Sequence, residues 1–328
     1  MADAALRARR GSQESRPRSP GGKDSAFTMS YTEEIEMNQP AKQPDSARVR
    51  AARGRTTAAA TATRLSIIPC GAMHADLAWL LLKPGVTLHG VQNKDAAVVW
   101  SEVPTHAVLV ETPEGKLLWD TSCPRDWEQR WVPTGLQDFF LYDMVGEDEY
   151  LDSRLNAMGV GLDDIDYVVL SHLHIDHAGN AGLFKNTHAR LLCSDAEKKF
   201  AFGFEGPASG GHLKADYEDL SFETITGDIE ILPGVTLIQT PGHTPGCMSM
   251  QVDLVDSGTM VFTSDAVFMG ASYGPPVFPG VLVNNLEQFY ASVEKLRGIQ
   301  EKTSARMVFG HDADQIHQLR TAPEGSYT

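Results

Sequence analysis

Three histidines and an aspartate fall within six consecutive positions, as His172, His174, Asp176 and His177, inside the stretch Ser171 to Asn180. Imidazole nitrogens and carboxylate oxygens are ligands for borderline divalent metals such as zinc, and no other part of the chain is as dense in them. In an extended loop, alternation sends His172 and His174 to one side. A turn after them directs Asp176 and His177 to a neighbouring point, which suits two metals better than one. Completing two coordination shells requires further neutral nitrogens and preferably a bridging carboxylate. Three downstream residues qualify: His243 in the Pro/Gly-rich loop Thr240 to Gly246, Asp265, and His311 in Gly310-His311-Asp312.

These residues share a position relative to the elements that must carry them. Each follows a short apolar, β-branched run: Tyr167 to Leu170 before His172, Val235 to Gln239 before His243, Thr259 to Thr263 before Asp265, and Arg306 to Phe309 before His311. The carboxyl ends of buried strands are where α/β proteins usually keep their chemistry. Leu65 to Ile68, Ala107 to Val110, Lys116 to Trp119, Arg190 to Cys193 and Met248 to Leu254 have the same texture and are expected to be strands. Helices are expected at Asp148 to Met158, Asp195 to Phe200 and Leu286 to Gln300, the last with Leu286, Phe289, Tyr290, Val293 and Leu296 at helical spacing. This interleaving, in two successive halves, predicts a layered α/β protein with two sheets facing each other.

Composition narrows the class. The chain has 328 residues, 42% hydrophobic and 22% charged, enough for a substantial core. No stretch approaches the ~18 uninterrupted apolar residues of a membrane span. The formal net charge is −15, and residues 1–64 hold 12 basic against 7 acidic side chains, so the acidity lies in the remainder. A body that acidic repels phosphate backbones and argues against nucleic acid as a partner. Residues 1–64, rich in Ala, Arg, Ser, Pro and Gln, are expected to form a disordered basic extension, and 65–328 the folded domain. The four cysteines form no CxxC pair and are expected as buried free thiols. Without an apolar leader segment, the expected location is the cytoplasm.

The HxHxDH block from His172 to His177, the Pro-Gly-His-Thr-Pro-Gly loop around His243, Asp265 in Thr-Ser-Asp-Ala, and Gly-His-Asp at Gly310 to Asp312 together resemble the metallo-β-lactamase superfamily. Within it the chain looks most like the dinuclear N-acyl-homoserine lactonases. Trp119-Asp120-Thr121-Ser122 matches an early strand-end landmark of the superfamily, and the resemblance covers roughly Leu65 to Arg320.

The resemblance implies an αββα sandwich, two facing sheets flanked by helices. It implies two zinc ions, one held by His172, His174 and His243, the other by Asp176, His177 and His311, with Asp265 bridging. Di-iron flavoproteins of the superfamily typically carry Glu at the position of His174, so hydrolysis is expected rather than redox chemistry. Metals about 3.5–4 Å apart would supply hydroxide near neutral pH and polarise a carbonyl. Asp176 would also deliver a proton to the leaving oxygen. The expected reaction is opening of a lactone ring, an N-acyl-homoserine lactone or related γ-lactone; the alternative is another hydrolase of the superfamily, acting on a thioester or a β-lactam. Similar lactonases commonly form homodimers, so a dimer is an expectation from the resemblance.

One position departs from the pattern. Related lactonases commonly place a tyrosine three residues after the bridging aspartate; this chain has Phe268, which cannot donate a hydrogen bond to a substrate carbonyl. Either Tyr273 substitutes, or the metals alone hold the oxyanion, or the substrate differs. Asp120 is expected to support the metal ligands from behind, and Asp312 could do the same. Cys247 is expected to pack rather than ligate, and His74, His106, His188, His212 and His317 to stand outside the chemistry. Two aromatic groups stay open: Trp127, Trp131, Phe139, Phe140 and Tyr142 as a packed loop or a lid, and Phe200, Phe202 and Phe204 as an acyl pocket or one packed face.

Overall fold

Side-chain alternation along β2 (Trp100–Thr112) shows how the layers arise in the computed structural model, which describes residues 62–328 apart from Met144 and residues 207–209. Val108 and Val110 point into one apolar cluster and Ala107 and Leu109 into another, because successive strand residues face opposite sides of a sheet. A sheet apolar on both faces has to be covered on both.

The first sheet runs in chain order: β1 (Arg64–Asp76), β2, β3 (Gly115–Trp119), β4 (Tyr167–Val169), β5 (Arg190–Ser194) and β6 (Glu223–Ile225). The first three strands pair antiparallel; from β3 to β6 the pairing is parallel. Parallel neighbours need long crossovers. Here these carry α1 (Trp127–Trp131), α2 (Leu151–Ala157), α3 (Ile175–Ala178) and α4 (Asp195–Gly203). The second sheet has the order β11-β10-β9-β8-β7, built from β7 (Ile229–Leu232), β8 (Val235–Gln239), β9 (Met248–Leu254), β10 (Gly258–Phe262) and β11 (Arg306–Val308). Between β10 and its parallel partner β11 run α5 (Gly270–Tyr273) and α6 (Leu286–Thr303); α7 (Ala313–Ile316) follows β11.

Val108, Val110, Trp119 and Val169 of the first sheet meet Leu237, Met250 and Phe262 of the second in one buried cluster. The outer face of the first sheet is covered by Leu151 and Leu155 of α2 and Ala201 of α4. Val261 and Met307, on the outer face of the second, pack with Phe289, Val293 and Leu296 of α6. This is the expected αββα sandwich.

The expected strands and the three expected helices are all present, with differences that have physical causes. β1 and β2 run 13 residues each, longer than their apolar cores, and a register shift between Pro69 and Ala72 accommodates the proline. β6 and β7 were not foreseen; both are edge strands, and Glu223, Thr224 and Glu230 give them little apolar signal. Nor was α3, which lies inside the His/Asp stretch itself. Of the expected 1–64 extension, residues 1–61 lie outside the described residues; the folded chain already includes Ala62, whose N–H donates to the Asp253 carbonyl at 3.0 Å. Among the described residues no helix is long and apolar enough to cross a membrane.

Leu237 is fully buried between the sheets and pairs in register with Met250. Leu237→Ala is expected to lower unfolding free energy by about 2–5 kcal/mol, read from urea denaturation; a loss below about 1 kcal/mol would show that the inter-sheet layer is not the main core.

Candidate metal centre

The strand ends converge on one point. His172 follows β4, His243 follows β8, Asp265 follows β10 and His311 follows β11, as expected from the sequence. The turn within the His/Asp stretch is a single turn of helix: His174 is extended (φ −79°, ψ 162°) and caps α3, whose first turn carries Asp176 and His177. Gly179 closes the turn because a Cβ there would lie 2.5 Å from the Ile175 carbonyl oxygen and 2.7 Å from that of Ser122. Asp120 and Ser264, both at the floor of the site, hold left-handed backbones (φ 56° and 46°), a conformation that costs of order 1–3 kcal/mol and gathers at functional sites.

Seven buried side chains form two groups that could each hold a metal ion: His172, His174, His243 and Asp265 in one, Asp176, His177 and His311 in the other, the potential ligand atoms of each within 4.8 Å of one another. In the first, His243 Nε2 lies 3.1 Å from His172 Nε2 and 2.9 Å from His174 Nδ1. In the second, Asp176 Oδ2 lies 3.5 Å from His177 Nε2 and 3.4 Å from His311 Nε2. Asp265 divides its carboxylate between them: Oδ2 is 3.2 Å from His243 Nε2, and Oδ1 is 3.1 Å from His311 Nε2 and 3.3 Å from His177 Nε2.

The outward nitrogens of these rings are fixed by partners. Asp120 Oδ2 lies 2.9 Å from His177 Nδ1, while its Oδ1 accepts the Ser171 N–H at 2.7 Å. His243 Nδ1 faces the Leu282 carbonyl at 2.5 Å and His311 Nδ1 the Pro104 carbonyl at 3.0 Å, which leaves the Nε2 atoms bare toward the centre. Asp120 thus lies directly behind His177, where a supporting residue would stand. Asp312 does not: its carboxylate accepts the Gly270 N–H at 2.7 Å and caps α7 through the Gln315 N–H at 2.9 Å, so it ties loops together without touching a ligand histidine.

Electrostatics separates the two groups. Burial pushes His172 and His174 well below the usual imidazole range and lowers His243, leaving neutral nitrogens suited to ligation. Burial would also lower His177 and His311, but the surrounding carboxylates win: Asp176, Asp265 and Asp120 raise His177 well above that range, and Asp265 and Asp176 raise His311. Asp265 is held well below the usual carboxylate range by His311, His177 and His243 despite its burial. The second group is therefore the one in which carboxylates surround the imidazoles. Two atoms facing the centre, His177 Nε2 and Asp265 Oδ1, are buried without a hydrogen-bond partner. Buried polar atoms are ordinarily paired, so the donor set and its orphaned atoms fit metal ions.

A recess opens above the clusters, lined by His174, Asp176, Asp265 and His311 together with Met73, Leu80, Val103, Phe140, Ile175, Leu282 and Phe268. Phe268 is fully buried, 5.3 Å from the His243 ring and 6.5 Å from that of His311. Tyr273 does not substitute for a hydroxyl there: its OH donates to Gln300 Oε1 at 2.9 Å and its ring packs on Phe309 and under Arg297. Of the aromatic stretch, Trp127, Trp131 and Tyr142 are packed core, and Phe140 alone reaches the recess. Phe200 and Phe204 enclose His212 and Phe202 packs on Tyr217 and Phe222, so they form no wall of the recess. Cys247 is buried and packs, as expected. A wider cleft beside Gly179 holds Arg125 and Arg130, but their guanidiniums already pair with Asp152, Asp126 and Asp216, which leaves it unsuited to an anion.

Comparison with known proteins agrees with fold and site. Residues 100–311 match the metallo-beta-lactamase superfamily, and the chain belongs to it. It is 31% identical over 248 residues to the N-acyl homoserine lactonase AttM of Azorhizobium caulinodans, covering 72% of this chain and 92% of the relative. It is 32% identical over 226 residues to the N-acyl homoserine lactonase AiiA of Bacillus thuringiensis subsp. kurstaki, covering 68% and 86%. A solved N-acyl homoserine lactone hydrolase, with the product N-hexanoyl-L-homoserine bound at its catalytic metal centre, superposes with a TM-score of 0.68 at 29% identity, over 81% of this chain and 99% of that one.

Asp120→Asn removes the anionic acceptor behind His177. Metal affinity is expected to fall about 10–100-fold, measured by chelator competition; an unchanged affinity would mean that Asp120 does not orient the ring.

Proposed function

We propose that the chain is a zinc-dependent lactonase that opens N-acyl-homoserine lactones or related γ-lactones. The observation that carries the reading is the divided carboxylate of Asp265, one oxygen toward each histidine group, at the floor of an apolar recess. The named activity of relatives about 30% identical across most of their length supports the substrate class.

His172, His174 and His243 would hold one zinc, Asp176, His177 and His311 the other, with Asp265 shared between them. When bound, the pair supplies a nucleophilic hydroxide near neutral pH and charge stabilisation for the carbonyl and the departing oxygen. Asp176 lines the recess as well as facing His177 and His311, so its carboxyl is placed to deliver the proton that the ring oxygen needs on leaving. Met73, Leu80, Val103, Phe140 and Leu282 offer an apolar surface for an acyl chain and keep water from it. The four buried free thiols fit a reducing compartment, the cytoplasm.

Phe268 favours a second reading. Phe268 has no hydroxyl and that of Tyr273 is engaged with Gln300, so neither position offers a donor to a lactone carbonyl, and a thioester or β-lactam is the alternative substrate. A pH-indicator assay on a lactone panel, a thioester and a β-lactam separates the two. Lactone turnover should dominate; inert lactones beside an active thioester or β-lactam would replace the first reading by the second.

Asp265→Ala should strip metal from both positions and reduce hydrolysis to below roughly one-hundredth, read by metal analysis and turnover together. Retention of two metals and full activity would remove Asp265 as the shared ligand. Phe268→Tyr should raise lactone turnover by restoring a donor, whereas an equal or lower rate would show that the recess is built without one.

A further inference from the structure

Glu197, on α4, is a fully buried carboxylate that does not line the recess and takes no part in the chemistry above. Its Oε1 accepts the Leu173 N–H at 3.0 Å and lies 3.1 Å from His212 Nε2; its Oε2 accepts the Thr244 hydroxyl at 2.5 Å. Leu173 sits between His172 and His174, and Thr244 follows His243. The His212 ring stands edge-on to that of His174, centroids 4.3 Å apart at 80°. One carboxylate therefore reaches every histidine of the first cluster, each through one intermediary. It touches none of the second, whose rings are held by Asp120 and the Pro104 carbonyl.

The surroundings hold this arrangement closely. Ser194 Oγ accepts the Glu197 N–H at 3.0 Å and donates to the Gly246 carbonyl at 2.7 Å, pinning α4 to the loop that carries His243. A Cβ at Gly211 would lie 2.8 Å from the His174 ring, so only glycine lets His212 close against it. Phe200 and Phe204 pack on the other side of His212, at 5.4 and 5.2 Å, and shield the contact from water. The charge pattern runs the same way. His177 in the second cluster has Asp120, Asp176 and Asp265 within 3.5 Å, whereas the first has only its share of Asp265 at that range. Glu197 is tied to the loops of the first at Leu173 and Thr244, and of its rings Asp120 reaches only His172, through the Ser171 hydroxyl.

We propose that Glu197, through Leu173, Thr244 and His212, is a positioning residue for the His172–His174–His243 cluster alone, while Asp120, in direct contact with His177 and linked to His172 only through Ser171, acts chiefly on the other metal position. The inference rests on the reading that both clusters hold metal. Outer partners that orient ligating histidines typically carry 10–100-fold in metal affinity, and a charged acceptor of three donors is among the stronger hydrogen-bonding groups.

The test is site-resolved metal occupancy in Glu197→Gln, which keeps the shape but replaces the anion and turns one acceptor into a donor. Crystals equilibrated with limiting zinc are compared by anomalous peak height at the two positions, alongside chelator competition in solution. Glu197→Gln should weaken the first position about 10–100-fold and leave the second within about twofold; Asp120→Asn should weaken the second position more than the first. Thr244→Val, which removes one donor and spares the carboxylate, is the second variant should Glu197→Gln fail to fold, and should weaken the same position to a smaller extent. Equal occupancy at both positions, or equal loss at both, overturns the inference, since a merely structural role would not choose between them. A native chain that takes up fewer than two equivalents would overturn the metal reading itself, and the inference with it.

Discussion

A buried carboxylate shared between two clusters of imidazoles is the constraint on which the rest depends. Asp265 cannot remain charged and dry without cationic or hydrogen-bonding partners, and its two oxygens face different histidines. The candidate ligands must therefore arrive at one point from four parts of the chain: the His172 to His177 stretch, His243, Asp265 and His311. The two-sheet layering makes that possible, because the ends of β4, β8, β10 and β11 meet where the sheets are packed face to face, and the apolar layer beneath them holds the strands in register.

Around this centre the protein arranges support in tiers. Three of the candidate ligand rings face an acceptor, the Asp120 carboxylate or a backbone carbonyl, and these acceptors lie far off in sequence: just past β3 for His177, in β2 for His311, in the segment before α6 for His243. Ser171 joins the tiers, with its hydroxyl near Asp120, His172 and Ser264 at 2.9, 3.0 and 2.8 Å. Left-handed backbone at Asp120 and Ser264 is the strained part of this arrangement, tolerated because the surrounding hydrogen bonds over-determine it.

A different set of residues walls the space above the centre. The recess above the centre is apolar apart from the ligands themselves, and Phe268 keeps it so at the position where a tyrosine would have been most useful to a lactone carbonyl. The ring fills space between His243 and His311.

Much of this was legible in the sequence, and the physical reason is local. A ligand just past a β-branched run announces both its strand and its place at the strand's end, so His172, His174, Asp176, His177, His243, Asp265 and His311 could be read together, as could the two-layer fold. What could not be read is whatever depends on which loops meet. Glu197 in the first turn of α4 has the sequence signature of a solvated helix start, and only the approach of the Thr244 loop, the Leu173 backbone and His212 buries it. His212 and Tyr273 fail in opposite ways for the same reason: one was set aside and proves to lie against a ligand, the other was a candidate and is turned away toward Gln300. Asp312, next to a ligand in sequence, caps a helix instead. Periodicity and residue type determined the chemistry and the layers, because they act over a few residues; the tertiary structure decided which carboxylates stand behind that chemistry, because partners tens of residues apart are chosen only by packing.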